Sequence, residues 1–244
     1  MTSRSFVTEA GVEVPAVTTA QMREIDRVAV EELGPNLYQM MENAGRNLAL
    51  TVIDRLGSEW STLPVVVLAG TGGNGGGGIC AARHLANRGA AVTVVVSDPE
   101  RLAPVPREQL GVFGGTTGRQ AGVGDLPDLE AALIVDAVIG YSLGGAPRGA
   151  VETMIEWAAG QAAPVISLDV PSGVDSTTGD SPGAHVQAAV TMTLALPKTG
   201  LDGLSTGDLL LADIGIPGGV FRRVGIDVPP EVFGGRYRVG LRPI

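Results

Sequence analysis

Two spacings of apolar residues divide the chain. Short, nearly continuous apolar runs occupy 65–69, 91–97, 132–139, 165–170, 190–196 and 209–213. Runs of this length, rich in β-branched residues, predict strands covered on both faces. Between them, apolar residues recur at helical spacing. Met22, Ile25, Val28 (or Ala29) and Leu33 form one stripe. Leu37, Met40, Met41, Ala44, Leu48, Val52 and Leu56 form a second, and Ile79, Ala82, Leu85 and Ala86 a third. Residues 151–159 read as a further helix. Thr18 with Gln21 three residues on marks a capping box, Gly34-Pro35 stops that first helix, and Asn36 can cap the next. Alternating strands and helices predict an α/β fold: a mostly parallel sheet with helices on both faces, in one domain. Residues 1–16 look loosely ordered. Residues 99–130 read as a variable connection, and the extension from Gly218 to Ile244 shows no clear element.

One stretch departs from both spacings. After the run at 65–69, seven of the nine residues from Gly70 to Gly78 are glycine, the exceptions being Thr71 and Asn74. A strand, a glycine-rich loop and a helix make a phosphate cradle: glycine permits close backbone approach, and the helix N-terminus offers unpaired N–H groups to an anion. Gly70 to Gly75 fits G-x-G-x-x-G, and Asp98 follows at about the distance, roughly 20 residues, of a ribose-binding acid. A plain flexible loop gives the same pattern.

Composition narrows the classes. The 244 residues carry a formal net charge of −9 and no basic run, which argues against nucleic-acid binding. A single cysteine, Cys80, excludes an internal disulfide and an all-cysteine zinc site, and its place inside the third stripe suits a buried, inert thiol. No run is long enough to span a membrane, and the N-terminus lacks the apolar core of a secretory signal. The expectation is a soluble, cytoplasmic protein acting on a small molecule.

Candidate chemistry falls at the strand ends. Asn74, Asp136, Asp169, Ser172, Asp175 and Lys198 all follow predicted strands, where open α/β sheets bind ligands. Asp175 fits equally well as a turn residue, and Glu42 and Asn43, beside the second stripe, fit either a site or a solvated edge. There is no G-x-S-x-G elbow, and no Gly-Lys-Ser/Thr follows the glycines. Neither His84 nor His185 looks like part of a triad or a metal pair. The oxygen-rich remainder suits a hard or monovalent cation, with Asp169 and Lys198 as acid/base candidates.

These motifs, in order, resemble the NAD(P)HX epimerase family, also called the YjeF N-terminal domain. They are Met41-Glu42-Asn43-Ala44-Gly45, the glycine stretch with Ala82-Arg83-His84-Leu85, Asp136-Ala137 with Gly140, Asp169-Val170-Pro171-Ser172-Gly173, Pro197-Lys198 with Gly200, and Asp213-Ile214-Gly215-Ile216-Pro217. The resemblance spans about residues 18–217. It implies a Rossmann-like three-layer sandwich, a homodimer, and interconversion of the R and S forms of hydrated NADH and NADPH. It also implies a potassium ion held by Asn74, Asp136 and Ser172. The substrate would lie along Gly73, Asn74, Gly75, Gly76 and Gly77, along Gly140, Tyr141, Ser142, Leu143, Gly144, Gly145 and Ala146, and against Asp169. Asp169 would be the acid/base, with Lys198 second. The family loop has Asn and Asp where this chain has Gly73 and Gly77, so two polar contacts are absent. A repurposed relative catalysing isomerisation, hydration or cyclisation, or a non-catalytic binding module, therefore remains an alternative. A plain dehydrogenase fits less well, since no catalytic His, Tyr-x-x-x-Lys or Cys is in place.

Overall fold

The computed structural model describes residues 5–201, 203 and 205–244. Its ten strands are β1 (Ser5–Thr8), β2 (Glu13–Pro15), β3 (Val65–Ala69), β4 (Val92–Val96), β5 (Arg119–Ala121), β6 (Leu133–Ala137), β7 (Val165–Leu168), β8 (Val190–Leu194), β9 (Asp208–Ala212) and β10 (Arg238–Pro243). They form one sheet in the order β2-β1-β10-β9-β8-β7-β6-β3-β4-β5. Every pairing from β9 through to β5 is parallel, and β10, β1 and β2 add on antiparallel. The strands β3, β6 and β7 are buried along their whole length, as their unbroken apolar runs require.

Six α-helices cover the sheet: α1 (Thr19–Val28), α2 (Leu37–Leu56), α3 (Gly73–Ala86), α4 (Pro104–Phe113), α5 (Ala150–Ala159) and α6 (Gly218–Arg223). On one face, Leu48 and Val52 of α2, Ile79 and Leu85 of α3 and Phe113 of α4 pack on Val67, Val135, Ile166 and Met192. On the other, α5 packs Met154 and Ile155 on Val66 and Ile134. Beside it, Ile25 of α1 and Phe221 of α6 share a core with Leu209, Leu211 and Val239. The expected capping box forms at Thr18, and Asn36 caps α2 as expected: Gln21 N–H donates to Thr18 Oγ1 at 3.3 Å, and Gln39 N–H to Asn36 Oδ1 at 3.0 Å.

Five expectations need correction. Residues 5–15 are ordered as β1 and β2, with Phe6 and Val14 buried; residues 1–4 lie outside the described residues. The connection at 99–130 contains α4 and β5, and the C-terminal extension supplies α6 and β10. Leu33 is 45% exposed, because a wide turn over Ala29–Leu33, closed by Gly34 N–H to Ala29 O at 2.6 Å, carries it off the stripe.

The fifth correction concerns the glycines. The loop is three residues, Gly70 to Gly72, and α3 begins at Gly73. A Cβ at Gly75 would overlap the Gly70 carbonyl, one at Gly76 would stand 2.5 Å from Met41 Sδ, and one at Gly78 2.5 Å from Ala137 Cβ. Close packing of the first turns of α3 on β3, β6 and α2 is what excludes side chains. Gly73 meets nothing within 4 Å. Gly75→Ala is therefore expected to destabilise despite alanine's better helix propensity, by about 1–3 kcal/mol or roughly 2–12 °C in melting temperature. Gly73→Ala should be neutral or slightly stabilising. Equal melting temperatures for the two variants would refute the packing account.

Candidate active site

The chain crosses from β3 outward to β4 and β5, then returns to β6 on the opposite side of β3. That reversal opens a crevice at the carboxyl ends of β3 and β6, where such sheets place ligands. A cavity of about 570 Å³ lies there, floored by the Gly70 turn and walled by Met22, Met40 and Met41. The N-terminus of α3 opens onto it. Gly72, the capping residue, has no side chain to satisfy the first N–H groups, so they remain available to an anion such as a phosphate.

At the far side Asp169 and Lys198 form a buried ion pair, 3% and 1% exposed. Asp169 Oδ2 accepts from the Tyr141 N–H at 3.0 Å, and Oδ1 from Lys198 and from Leu194 N–H at 3.3 Å. Lys198 Nζ also donates to Leu194 O at 2.9 Å and Thr193 Oγ1 at 3.3 Å. Its three protons are thus all engaged, and the ammonium lies 5.9 Å from the centre of the Tyr141 ring. The backbone at Asp169 has φ +70°, a left-handed conformation that aspartate tolerates better than most side chains. Lys198 is fixed by the neighbouring chain, as Val17 N–H donates to Pro197 O and Thr199 N–H to Val17 O.

A second cluster is fully buried. Asp136 accepts from Ser172 Oγ at 2.5 Å, Ser172 N–H at 2.8 Å, Ser167 Oγ at 2.7 Å and Val138 N–H at 3.3 Å. Burial pushes its carboxyl up, and these hydrogen bonds hold it back. Among the described residues no cationic side chain pairs with it. Ser172 Oγ also receives Ile139 N–H at 2.8 Å, and Asn74 lies against the next residue, Gly140, with its buried Nδ2 lacking a hydrogen-bond partner. A buried carboxylate without a counter-charge, beside the Ser172 hydroxyl oxygen and the Asn74 amide, whose oxygen is the atom able to ligate, fits a monovalent cation.

Of the residues expected at the substrate, Gly73, Asn74, Gly77, Gly140, Tyr141, Ser142, Asp169 and Lys198 line this one cavity. Gly75 and Gly76 face away into packing contacts. Leu143, Gly144, Gly145 and Ala146 lie further along the same loop, outside the cavity lining. Asp98 also stands outside it: its carboxylate accepts from Glu100 and Arg101 N–H groups and caps a short turn. Asp175 is a turn residue, accepting from Thr177 and Thr178 N–H groups at 2.8 and 2.9 Å.

Asn43 donates to Ile214 O at 3.2 Å and fastens α2 to the sheet. Glu42 binds Arg83 at 2.5 Å and His84 at 2.8 Å, with Cys80 3.4 Å away. Those three potential ligands lie within 4.8 Å of one another, but the Arg83 guanidinium already bonds Glu42 and Cys80, so a cation would meet a positive charge. Burial pushes the Cys80 thiol up to about 12, which suits an inert side chain.

Two site residues carried no earlier expectation. Asp26 of α1 lines the cavity and accepts from Tyr141 Oη at 2.5 Å, and Thr193 completes the Lys198 shell. Asp26 sits among the polar positions of an ordinary amphipathic helix, so nothing in its local spacing sets it apart.

The family model of the YjeF-related protein N-terminus matches residues 37–200. The chain belongs to the YjeF N-terminal family. Among its relatives, an NAD(P)H-hydrate epimerase of Dehalogenimonas lykanthroporepellens is 50% identical over 221 residues, covering 91% of this chain and 90% of that one. A bifunctional NAD(P)H-hydrate repair enzyme Nnr of Salinibacter ruber is 36% identical over 83% of this chain, which spans 41% of that longer protein. The crystal structure of yeast ynu0 superposes with a TM-score of 0.80 at 22% identity, covering 92% of this chain and 99% of that one, a likeness of fold. In this YjeF N-terminal chain the family's loop departures fall at contrasting places. Gly73 stands on the open rim, whereas a Cβ at Gly77 would approach Leu168 Cδ2 at 2.8 Å. Leucine thus takes up the space of a side chain at position 77 and makes that part of the floor apolar.

Proposed function

We propose that the chain is an NAD(P)H-hydrate epimerase, interconverting the R and S forms of hydrated NADH and NADPH. The observation that carries the reading is one cavity at the sheet's reversal point. It joins an uncapped helix N-terminus, suited to a dinucleotide phosphate, to a buried carboxylate held by Tyr141 and Lys198. Relatives bearing that activity's name cover nine-tenths of the chain in one case and 86% in another. In this reading the glycine face of α3 binds the phosphates, Asp169 exchanges a proton at the hydrated carbon, and Lys198 holds Asp169 in place and balances its charge. The test mixes purified protein with R-NADHX at a pH where spontaneous epimerisation is slow and follows the S form by chromatography. A rate no better than buffer overturns the reading and directs attention to other small molecules.

Asp136, Ser172 and Asn74 would hold a potassium ion. The ion would supply the counter-charge that Asp136 lacks and stiffen the loop from Val138 to Gly140, which borders the substrate. Melting in potassium chloride, against choline chloride at equal ionic strength, should show a higher midpoint with potassium, and Asp136→Asn should remove the difference. No helix of the described residues is long and apolar enough to cross a membrane, and we place the reaction in the cytoplasm. A homodimer has support in Val30, Leu33, Leu37 and Tyr38, which are 41–46% exposed within nine residues of chain; light scattering tests it.

A further inference from the structure

Epimerisation at a hydrated carbon beside a ring nitrogen needs proton transfer on both faces of the ring. On one face an acid protonates the hydroxyl and the C–O bond breaks, its electron pair leaving with water as the nitrogen lone pair forms C=N⁺. On the other face water adds, the C=N⁺ electrons return to nitrogen, and a base takes the released proton. One proton has then moved from acid to base. The reverse reaction starts from that state, or exchange with solvent resets it. A single carboxylate serves one face; a second group is required for the other.

The cavity contains a second carboxylate. Asp26 and Asp169 are held at the two ends of one residue: the Tyr141 N–H donates to Asp169 at 3.0 Å, and the Tyr141 hydroxyl to Asp26 at 2.5 Å. The helix that carries Asp26 is fastened to the same loop. Thr19 Oγ1 bonds Ser176 Oγ at 2.6 Å, and Ser176 Oγ donates to Tyr141 O at 2.9 Å. Thr19, Met22 and Asp26 follow one face of α1, and Met22 and Asp26 both line the cavity. We propose that Asp26 is the second acid–base group of the site, acting on the ring face opposite Asp169. The proposal rests on the epimerase reading.

The two carboxylates differ in surroundings as an acid and a base should. Asp169 is paired with Lys198, whereas Asp26 has no ion-pair partner among the described residues. Burial raises the Asp26 carboxyl, Tyr141 and the more distant Lys198 oppose the rise, and Asp169 adds to it. Arg23, on the same helix, acts on the Tyr141 phenol, whose own value burial and Asp26 push up, so the phenol stays a donor. Asp26 is half-buried and reaches solvent for its proton.

The experiment compares wild type, Asp26→Asn and Asp26→Glu in both directions of the epimerisation between pH 5 and 9. In the direction in which Asp26 is the acid it must start protonated, so the wild-type rate in that direction falls as pH rises through its folded value; in the reverse direction it must start ionised, and its limb lies on the acid side. Asp26→Asn is expected to lower kcat/KM about 100- to 10,000-fold in both directions, with KM within a few-fold, and to lose the Asp26 limb, alkaline in one direction and acid in the other. Asp26→Glu should restore part of the rate with a displaced limb. Asparagine still accepts the Tyr141 hydroxyl, so its melting temperature should stay close to wild type; if it unfolds, the Asp26→Glu limb decides. An active wild type with Asp26→Asn within threefold of it, or with the limb unmoved, overturns the assignment of Asp26 alone. An inactive wild type overturns the epimerase reading and the assignment with it.

Discussion

Asp169→Asn should lower the epimerisation rate by about 100- to 10,000-fold, the range for loss of a general acid or base. The substitution isolates the charge. Asparagine occupies left-handed backbone nearly as readily as aspartate, so the φ of +70° at this position is kept, whereas alanine would add backbone strain. The amide oxygen can still accept the Tyr141 N–H, which leaves the loop beside the cavity where it is. What is lost is the second carboxylate oxygen, which faces Lys198 and Leu194 N–H. Rates should be measured at a temperature where circular dichroism on the same sample shows the variant folded. A folded variant within threefold of wild type would remove Asp169 from the chemistry and leave it as a structural member of the ion pair.

The parallel core was legible because each central strand is an apolar run, and an unbroken run means cover on both faces. The Thr18–Gln21 capping box and the Asn36 cap were legible because each satisfies its own backbone groups within four residues. What escaped depended on partners far away in sequence. The three-residue strand β2 and the four-residue β1 exist because β10, more than 220 residues later, pairs with β1. The glycine run misled in a different way. Glycine's poor helix propensity reads as a loop, yet contacts with Gly70, Met41 and Ala137 exclude any Cβ from those first helical turns, and packing overrides propensity. In the site, Asn74, Asp136, Asp169, Ser172 and Lys198 were visible because each lies at or just past the end of an apolar run, with glycine or proline within four residues. Asp26 was not, since its meaning lies in a hydroxyl 115 residues away.

Lys198→Met should destabilise the protein by about 3–5 kcal/mol, the usual cost of breaking a buried ion pair from one side. For a domain of this size that is roughly 6–20 °C in melting temperature. Methionine fills most of the volume of the lysine stem, so the loss is electrostatic: Asp169, 3% exposed, keeps its Tyr141 and Leu194 donors but has no counter-charge. The pH dependence separates this from a packing defect. An unpaired buried carboxylate binds a proton more tightly in the folded than in the unfolded chain. The variant's deficit is then largest above the folded value and shrinks as pH falls toward the unfolded value, about 3.9. Melting curves at pH 8 and pH 4.5 should show a clearly smaller difference from wild type at the lower pH. Replacing both members, as Asp169→Asn with Lys198→Met, should cost less than the sum of the two single changes, because neither charge is left alone. An equal deficit at both pH values, or strict additivity, would mean that the hydrogen bonds around Asp169 hold it in place without Lys198. The lysine's place in the site would then have to be sought in contact with the substrate.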